Sequence, residues 1–485
     1  MARMSECETL RGLQWYTGSM VSARDYDDGD TYSNGGYAPV ADERSFESLE
    51  IVEGEVPAGL RGVFARNSSN PKFTPPKPYH WFDGDGMVHA VELGEGLARY
   101  RNRWIRTRGF EADLAAGQAT RTGLLSRPDL RHPDGPYKNT ANTDLIGWRG
   151  QLLALWWLGG GTPYALDPRT LETQGLFEAA GTMTAHAKVD PRTGDLVFLD
   201  YGMRPPFLTH GVLTASGELT RTAIELPGPR PQHDLALTER YTVLIDVSMF
   251  AEPEALARGK VHMRFFPDTP TRLGLFDRQT HTLVRWFEVP ACYVYHFANA
   301  WESGSKVIIT ASRIHDPLVY DPQPGRSDRP VPRIAHLRLE PEFVRWTLDL
   351  DTGLATEELL DDSLAEFPRV DDRRIGVETQ AAYLGLLGAR ESFAFCGVRR
   401  VELASGSAIE RRYPEGHVGG EVSVAAYGPS EDETVLATFV SEEGAATSEL
   451  WLLDGRSLDT VARLKIPARI PAGFHTRWVS ASELG

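Results

Sequence analysis

The chain has 485 residues, 41% hydrophobic and 24% charged, with 51 Lys and Arg against 67 Asp and Glu for a net charge of −16. This supplies enough apolar material for a sizeable core, and the acidic balance disfavours both nucleic-acid partners and any general attraction to anionic lipid. Three cysteines without paired spacing, Cys7, Cys292 and Cys396, argue against a disulfide scaffold. The start of the chain lacks the apolar centre of a signal peptide, and no stretch approaches the roughly 20 apolar residues of a membrane helix, so a cytoplasmic location is expected.

Residues 1–40 (through SARDYDDGDTYSNGGYAPV) lack periodicity and predict an extended or partly disordered N-terminal arm. A strand–turn rhythm begins near residue 47 with SLEIVEG and EVPAGLRGVFARN. In YHWFDGDGMVHAVEL, residues 79–93, the DGDG core predicts a tight turn with glycine at positive φ, followed by a half-buried strand. His80 and His89 fall here and read as ordinary turn and sheet histidines. ARYRNRWIRTRGFEADLAAG reads as a strand entering a short helix, and residues 110–136 as a helical insertion or lid. KNTANTDLIGWRGQLLALWWL brings two strands joined at WRGQ.

Strands then recur with turn punctuation to the end of the chain, from GDLVFLDYG to TVARLKI. EPEALARG and ELLDDSLAEF are the best remaining helix candidates. Many short strands with Gly, Asp-Pro and Asp-Gly turns predict an all-β closed architecture. No linker-like boundary follows residue 45, so residues 41–485 are read as a single domain.

Four histidines stand out: His186 in TAHAKVDPRTGDLVFLDYG, His233 in QHDLALTE, His296 in YVYHFANAWESG and His475 in GFHTRWV. They are 47, 63 and 179 residues apart, so only a fold that brings separate β units to one point unites them. The first two intervals are near the ~40–50 residues of a propeller blade, which favours a propeller over a sandwich or large barrel. Each histidine lies near the end of a predicted strand, where a closed β structure aims side chains at its axis. Imidazole suits Zn, Cu, Fe and Ni. Four neutral imidazoles leave the charge of a divalent ion uncompensated, and carboxylates behind the rings would offset it.

The chain resembles the carotenoid cleavage oxygenases, the family that also holds the stilbene-cleaving dioxygenases and the retinoid isomerase. The resemblance runs from about residue 37 to 480 through EVPAGLRGVFARNSSNP, YHWFDGDGMVHAVEL, KNTANTD, TAHAKVDPRTGDLVFLDYG, QHDLALTE, HFANAWESG, EFPRVDDR and GFHTRWV. It implies a seven-bladed β-propeller with a helical or loop cap over the iron-bearing face. It also implies a non-haem Fe(II) held by His186, His233, His296 and His475, with positions left open for O2. Family members split a C=C bond into two carbonyl products.

The resemblance further implies glutamates that orient the histidines. Glu366 in EFPRV matches one, and Glu421 matches a second, although the usual Glu-Pro there reads Glu-Val. The third is expected after LLALW, where this chain has Trp157. An indole donates but cannot accept, so His233 lacks its usual orienter, and Asp144 is the substitute at hand.

In stilbene-cleaving relatives a Tyr and a Lys hold the phenol. Lys138 falls near that Lys and Trp104 at that Tyr, which favours an apolar polyene end group. Phe73, Trp81, Trp104 and Phe297 are the expected lining of an apolar tunnel. The expected activity is Fe(II)-dependent cleavage of a carotenoid or apocarotenoid by O2, to aldehyde or ketone products. Transient membrane contact through the cap would collect so apolar a substrate. The alternatives are a stilbenoid substrate gripped by Lys138, and a binding module without turnover because of Trp157.

Overall fold

A computed structural model describes residues 31–484 apart from 127, 128, 130, 259–261 and 335. Most of the expected N-terminal arm, residues 1–30, lies outside the described residues. The rest of that arm is packed: Tyr32 stacks on Trp81 with ring centroids 5.8 Å apart, and Tyr37 meets Trp81 edge-on at 5.1 Å.

The chain is mostly β. Successive antiparallel sheets follow the sequence. A five-stranded sheet joins Arg44–Phe46, Leu97–Trp104, Gly86–Gly94 and Gly62–Ser69 to the last strand, Thr476–Ser480. Four-stranded sheets then run from Asp144–Trp148 to Thr173–Leu176, from Lys188–Val189 to Leu219–Ile224, from Ala236–Leu237 to Thr282–Val289, and from Tyr293–Ser303 to Ala355–Asp361. A ten-stranded sheet holds Ala365–Arg369 to Thr460–Ile466 in chain order, with Glu50–Gly54 on its outer edge. Pairing of Gly62 with Ser480 and Arg66 with Thr476 ties the beginning of the chain to its end.

Burial explains the sequence pattern. Gly62–Ser69 and Tyr241–Asp246 are buried at every position, as expected for strands covered on both faces. Leu219–Ile224 alternates exposed and covered residues because one face meets solvent. The two strands joined at WRGQ are Asp144–Trp148 and Gln151–Leu155, and their two-residue turn has positive φ at Arg149 (52°) and Gly150 (77°).

Two expectations are corrected. ELLDDSLAEF is not a helix: its residues divide between the strands Ala355–Asp361 and Ala365–Arg369. Ser363 N–H and Oγ both donate to Asp361 Oδ1, which makes the sequence turn where a helix would continue. The glycines of DGDG do not supply positive φ; Gly84 sits at φ −71° after the short 3-10 turn Trp81–Asp83. They are required by close approach instead. A Cβ on Gly84 would meet Ser69 Oγ at 2.1 Å, and one on Gly86 would meet the Thr140 carbonyl at 2.6 Å.

Pro253–Ala257 is the short helix expected in EPEALARG. The expected lid begins with the helix Arg108–Ala116, capped by Thr107 Oγ1 accepting from Phe110 N–H and closed by Gly117 in the left-handed region. The described residues after it, to 136, contain no further helix. Among the described residues, no helix is long and apolar enough to cross a membrane.

Candidate metal centre

The four histidines reach one point from four sheets. His186 sits in the left-handed region (φ 63°) two residues before Lys188–Val189. His233 precedes Ala236–Leu237, His296 lies inside Tyr293–Ser303 where the ladder to Lys306–Ile314 is bulged, and His475 immediately precedes Thr476–Ser480. One nitrogen of each ring lies within 4.8 Å of the corresponding nitrogen of every other. The His186 ring centroid is 4.5, 4.9 and 4.3 Å from those of His233, His296 and His475.

Carboxylates stand behind three of the rings. Glu366 Oε2 is 2.7 Å from His296 Nδ1 and also accepts from Phe367 N–H. Glu421 Oε1 is 3.1 Å from His475 Nδ1. It also takes two bonds from the Arg369 guanidinium, at 2.8 and 3.1 Å. Asp144 Oδ2 accepts from the backbone N–H of His186 at 3.2 Å and lies 3.6 Å from its Nδ1. Asp144 therefore serves His186, not His233 as the sequence suggested. Among the described residues, no carboxylate pairs with the His233 ring, which instead meets Tyr295 edge-on at 5.1 Å.

The electrostatics follow from burial. Desolvation, reinforced by the neighbouring histidines, holds His186, His233 and His296 well below the usual imidazole range. These rings are neutral, with lone pairs available to a ligand-accepting ion. Burial also pushes the Glu366 carboxyl well up, against the Phe367 N–H that favours its anion. Burial would do the same at Glu421, but Arg369 and His475 outweigh it and hold that carboxyl below its ordinary range.

The donor set fits a divalent transition metal. Nε2 of His186 and of His296 are buried without any hydrogen-bond partner, although buried polar atoms are nearly always paired. Their Nδ1 atoms face the carboxylates, so Nε2 is the atom left for an ion, the arrangement that fixes metal-bound imidazoles.

Aromatic rings wall the cluster. Phe367, also left-handed at φ 58°, lies 4.7 Å from both His296 and His475. From it, ring contacts run through Phe393 (5.7 Å) to Trp81 (5.9 Å), then to Phe474 (4.2 Å) and Phe82 (5.1 Å). Trp157 joins this wall 5.4 Å from Phe82. Its backbone donates to Thr143 Oγ1 and accepts from Thr184 Oγ1.

Of the expected substrate residues, Trp81 belongs to this wall. Phe297, 3% exposed, lies in the large core cluster that also contains Trp81 and Phe367. Trp104 packs elsewhere, with Met87 and Phe110, and its indole donates to the Asn70 carbonyl. Phe73 and Lys138 line a small crevice with Tyr79 and Asp83. Lys138 is no free phenol clamp: its ammonium donates to Asp85 and to Asp113 Oδ2, the latter at 2.6 Å. His80 accepts from Phe82 N–H and His89 pairs with the Tyr100 hydroxyl at 2.8 Å, so neither joins the cluster. Phe82, Tyr295, Phe367 and Phe474 were missed from the sequence. Three of them adjoin His296, Glu366 or His475 in the chain, a signal that was available.

The family profile described as retinal pigment epithelial membrane protein matches residues 37–480. The chain is 30% identical to carotenoid 9,10(9',10')-cleavage dioxygenase 1 of Arabidopsis thaliana, covering 93% of this chain and 90% of that protein. It is likewise 30% identical to isoeugenol monooxygenase of Pseudomonas nitroreducens, over 91% and 96%. The structure of Pseudomonas brassicacearum lignostilbene dioxygenase superposes with a TM-score of 0.80 at 26% identity, covering 93% of this chain and 98% of that one. The chain belongs to the carotenoid cleavage oxygenase family and is an oxygenase.

Proposed function

We propose that the chain is an Fe(II)-dependent dioxygenase that cleaves one C=C bond of a carotenoid or apocarotenoid with O2, giving aldehyde or ketone products. The observation that carries this is the four-histidine cluster: one nitrogen of each ring lies within 4.8 Å of the others, carboxylates stand behind three of the rings, and aromatic rings wall it. His186, His233, His296 and His475 would hold the iron, and Glu366 and Glu421 would fix two of those rings. When bound, the iron supplies the redox chemistry that couples O2 to the alkene. The protein's own part is to bind, orient and keep dry. Phe82, Phe367, Phe393, Phe474 and Trp81 supply an apolar aromatic surround suited to an extended conjugated substrate. The same rings exclude water from the reacting bond.

The architecture is read as one domain over residues 41–485. The ten-stranded sheet contains two four-stranded meanders, Ala365–Arg369 to Ala408–Arg412 and Ser423–Ala426 to Thr460–Ile466, joined by His417–Gly419 and edged by Glu50–Gly54; with the five other large sheets these count as seven units. A seven-bladed propeller accounts for them, with the histidines at its axis and the segment around Arg108–Ala116 in the cap. Cytoplasmic location with transient membrane contact suits an apolar substrate.

A stilbenoid substrate is the second reading, favoured by the similarity to lignostilbene dioxygenase and isoeugenol monooxygenase. The ion pairs of Lys138 weigh against the phenol grip it needs. Incubating the iron-loaded protein under O2 with an apocarotenal, a carotenoid and a hydroxystilbene, with mass spectrometry of the products, separates the readings. Two carbonyl fragments from the polyene support the first. Cleavage of the hydroxystilbene alone overturns it in favour of the second.

A further inference from the structure

Among the described residues the His233 ring has no carboxylate partner, yet the residue beside it is a buried acid at the junction of three sheets. Asp234 is 4% exposed. Its Oδ1 accepts from Leu235 N–H at 2.7 Å and from the Lys188 ammonium at 2.6 Å, and its Oδ2 accepts from Phe297 N–H at 2.9 Å. Lys188 lies two residues after His186, and Phe297 directly follows His296. One carboxylate therefore bonds to the chain segments that carry His186, His233 and His296.

The local backbone shows why an acid is needed. The ladder between Tyr293–Ser303 and Lys306–Ile314 slips at Val294/Phe297 and again at Phe297/Asn299. A bulge leaves backbone groups without a ladder partner, and a buried N–H must find another acceptor. Asp234 supplies it from the neighbouring sheet. Asp144 repeats the device one step earlier, with Oδ1 on Leu145 N–H at 2.8 Å and Oδ2 on His186 N–H at 3.2 Å. Only Asp234 adds a lysine from a third sheet, and charged partners make such bonds shorter and stronger than neutral ones.

We propose that Asp234 is a positioning residue for the metal centre. It sets the mutual placement of three of the four histidines through the backbone next to His233 and His296 and the Lys188 side chain next to His186, where, among the described residues, the His233 ring has no carboxylate of its own. The proposal rests on the four-histidine metal reading given above.

The test is Co(II) titration of the purified full-length chain, followed by visible absorption, alongside thermal unfolding of the metal-free protein. Asp234→Asn keeps the shape and removes the charge; Lys188→Gln removes the third partner and keeps Asp234. The Co(II) dissociation constant should rise about 10–100-fold in Asp234→Asn, the range for lost metal-orienting partners. The absorption bands should move as the ligand geometry relaxes. Lys188→Gln should raise the constant by less, about threefold to tenfold. Unchanged affinity and spectrum in both variants overturn the proposal, even if the metal-free protein melts earlier, because Asp234 would then serve the fold alone. Should Asp234→Asn fail to fold, unchanged Co(II) affinity in Lys188→Gln overturns it by itself. A native chain that binds no Co(II) overturns the metal reading first, and this proposal with it.

Discussion

The His296 and His475 rings are each held by a glutamate that reaches Nδ1 directly, at 2.7 and 3.1 Å. The His186 and His233 rings are held differently. Asp144 stands 3.6 Å from His186 Nδ1 and bonds more closely to its backbone, while His233 rests edge-on against Tyr295 beside the Asp234 junction. One side of the cluster is oriented ring by ring and the other segment by segment. The left-handed His186 carries backbone strain that only a strongly determined surrounding sustains. On the proposed reading, a ring without an orienting glutamate is held in place because its chain segment is pinned.

Substitutions sharpen this contrast in a definite order. Glu366→Gln should have the largest effect on the metal, weakening iron affinity about 10–100-fold while leaving the fold intact, as read by metal titration and circular dichroism. An affinity within twofold of the native value would break the ring-by-ring account of the His296 side. Asp144→Asn should cost less, under about tenfold, because Asp144 stands 3.6 Å from His186 Nδ1 and the amide oxygen of Asn still accepts one of its two backbone N–H bonds. Trp157→Phe should leave metal affinity unchanged and raise KM for the polyene, since Trp157 packs on Phe82 and no metal-orienting bond passes through its indole. A metal affinity that moves with Trp157→Phe would show that the indole does orient His233.

Lys138 tests the stilbenoid reading. Lys138→Met leaves Asp85 and Asp113 buried without their cation, and breaking such a pair costs about 3–5 kcal/mol, readable by denaturant unfolding. Turnover of phenolic and non-phenolic substrates should fall together. A loss confined to phenolic substrates would instead support the stilbenoid reading.

Much of the site was legible because its residues announce themselves in short blocks. The four histidines, Glu366 and Glu421 each sit in a distinctive stretch, and Trp157 was visible as a departure. What escaped depends on long-range geometry. Nothing local pairs Lys138 with acids 25 and 53 residues away, and nothing shows which ring Asp144 approaches. ELLDDSLAEF has helical composition, but its pairing with neighbouring strands overrides it. DGDG pointed to a tight turn with the wrong reason attached, because crowding by Ser69 and Thr140, not φ, demands glycine there.

The central claim is one iron on four histidines, coupled to alkene cleavage. Anaerobic purification followed by metal analysis of the native chain and of His296→Ala tests it most directly. About one iron per native chain is expected after Fe(II) is supplied, and little in the variant. A native chain that takes up no iron, or a variant that retains it fully, would contradict the account.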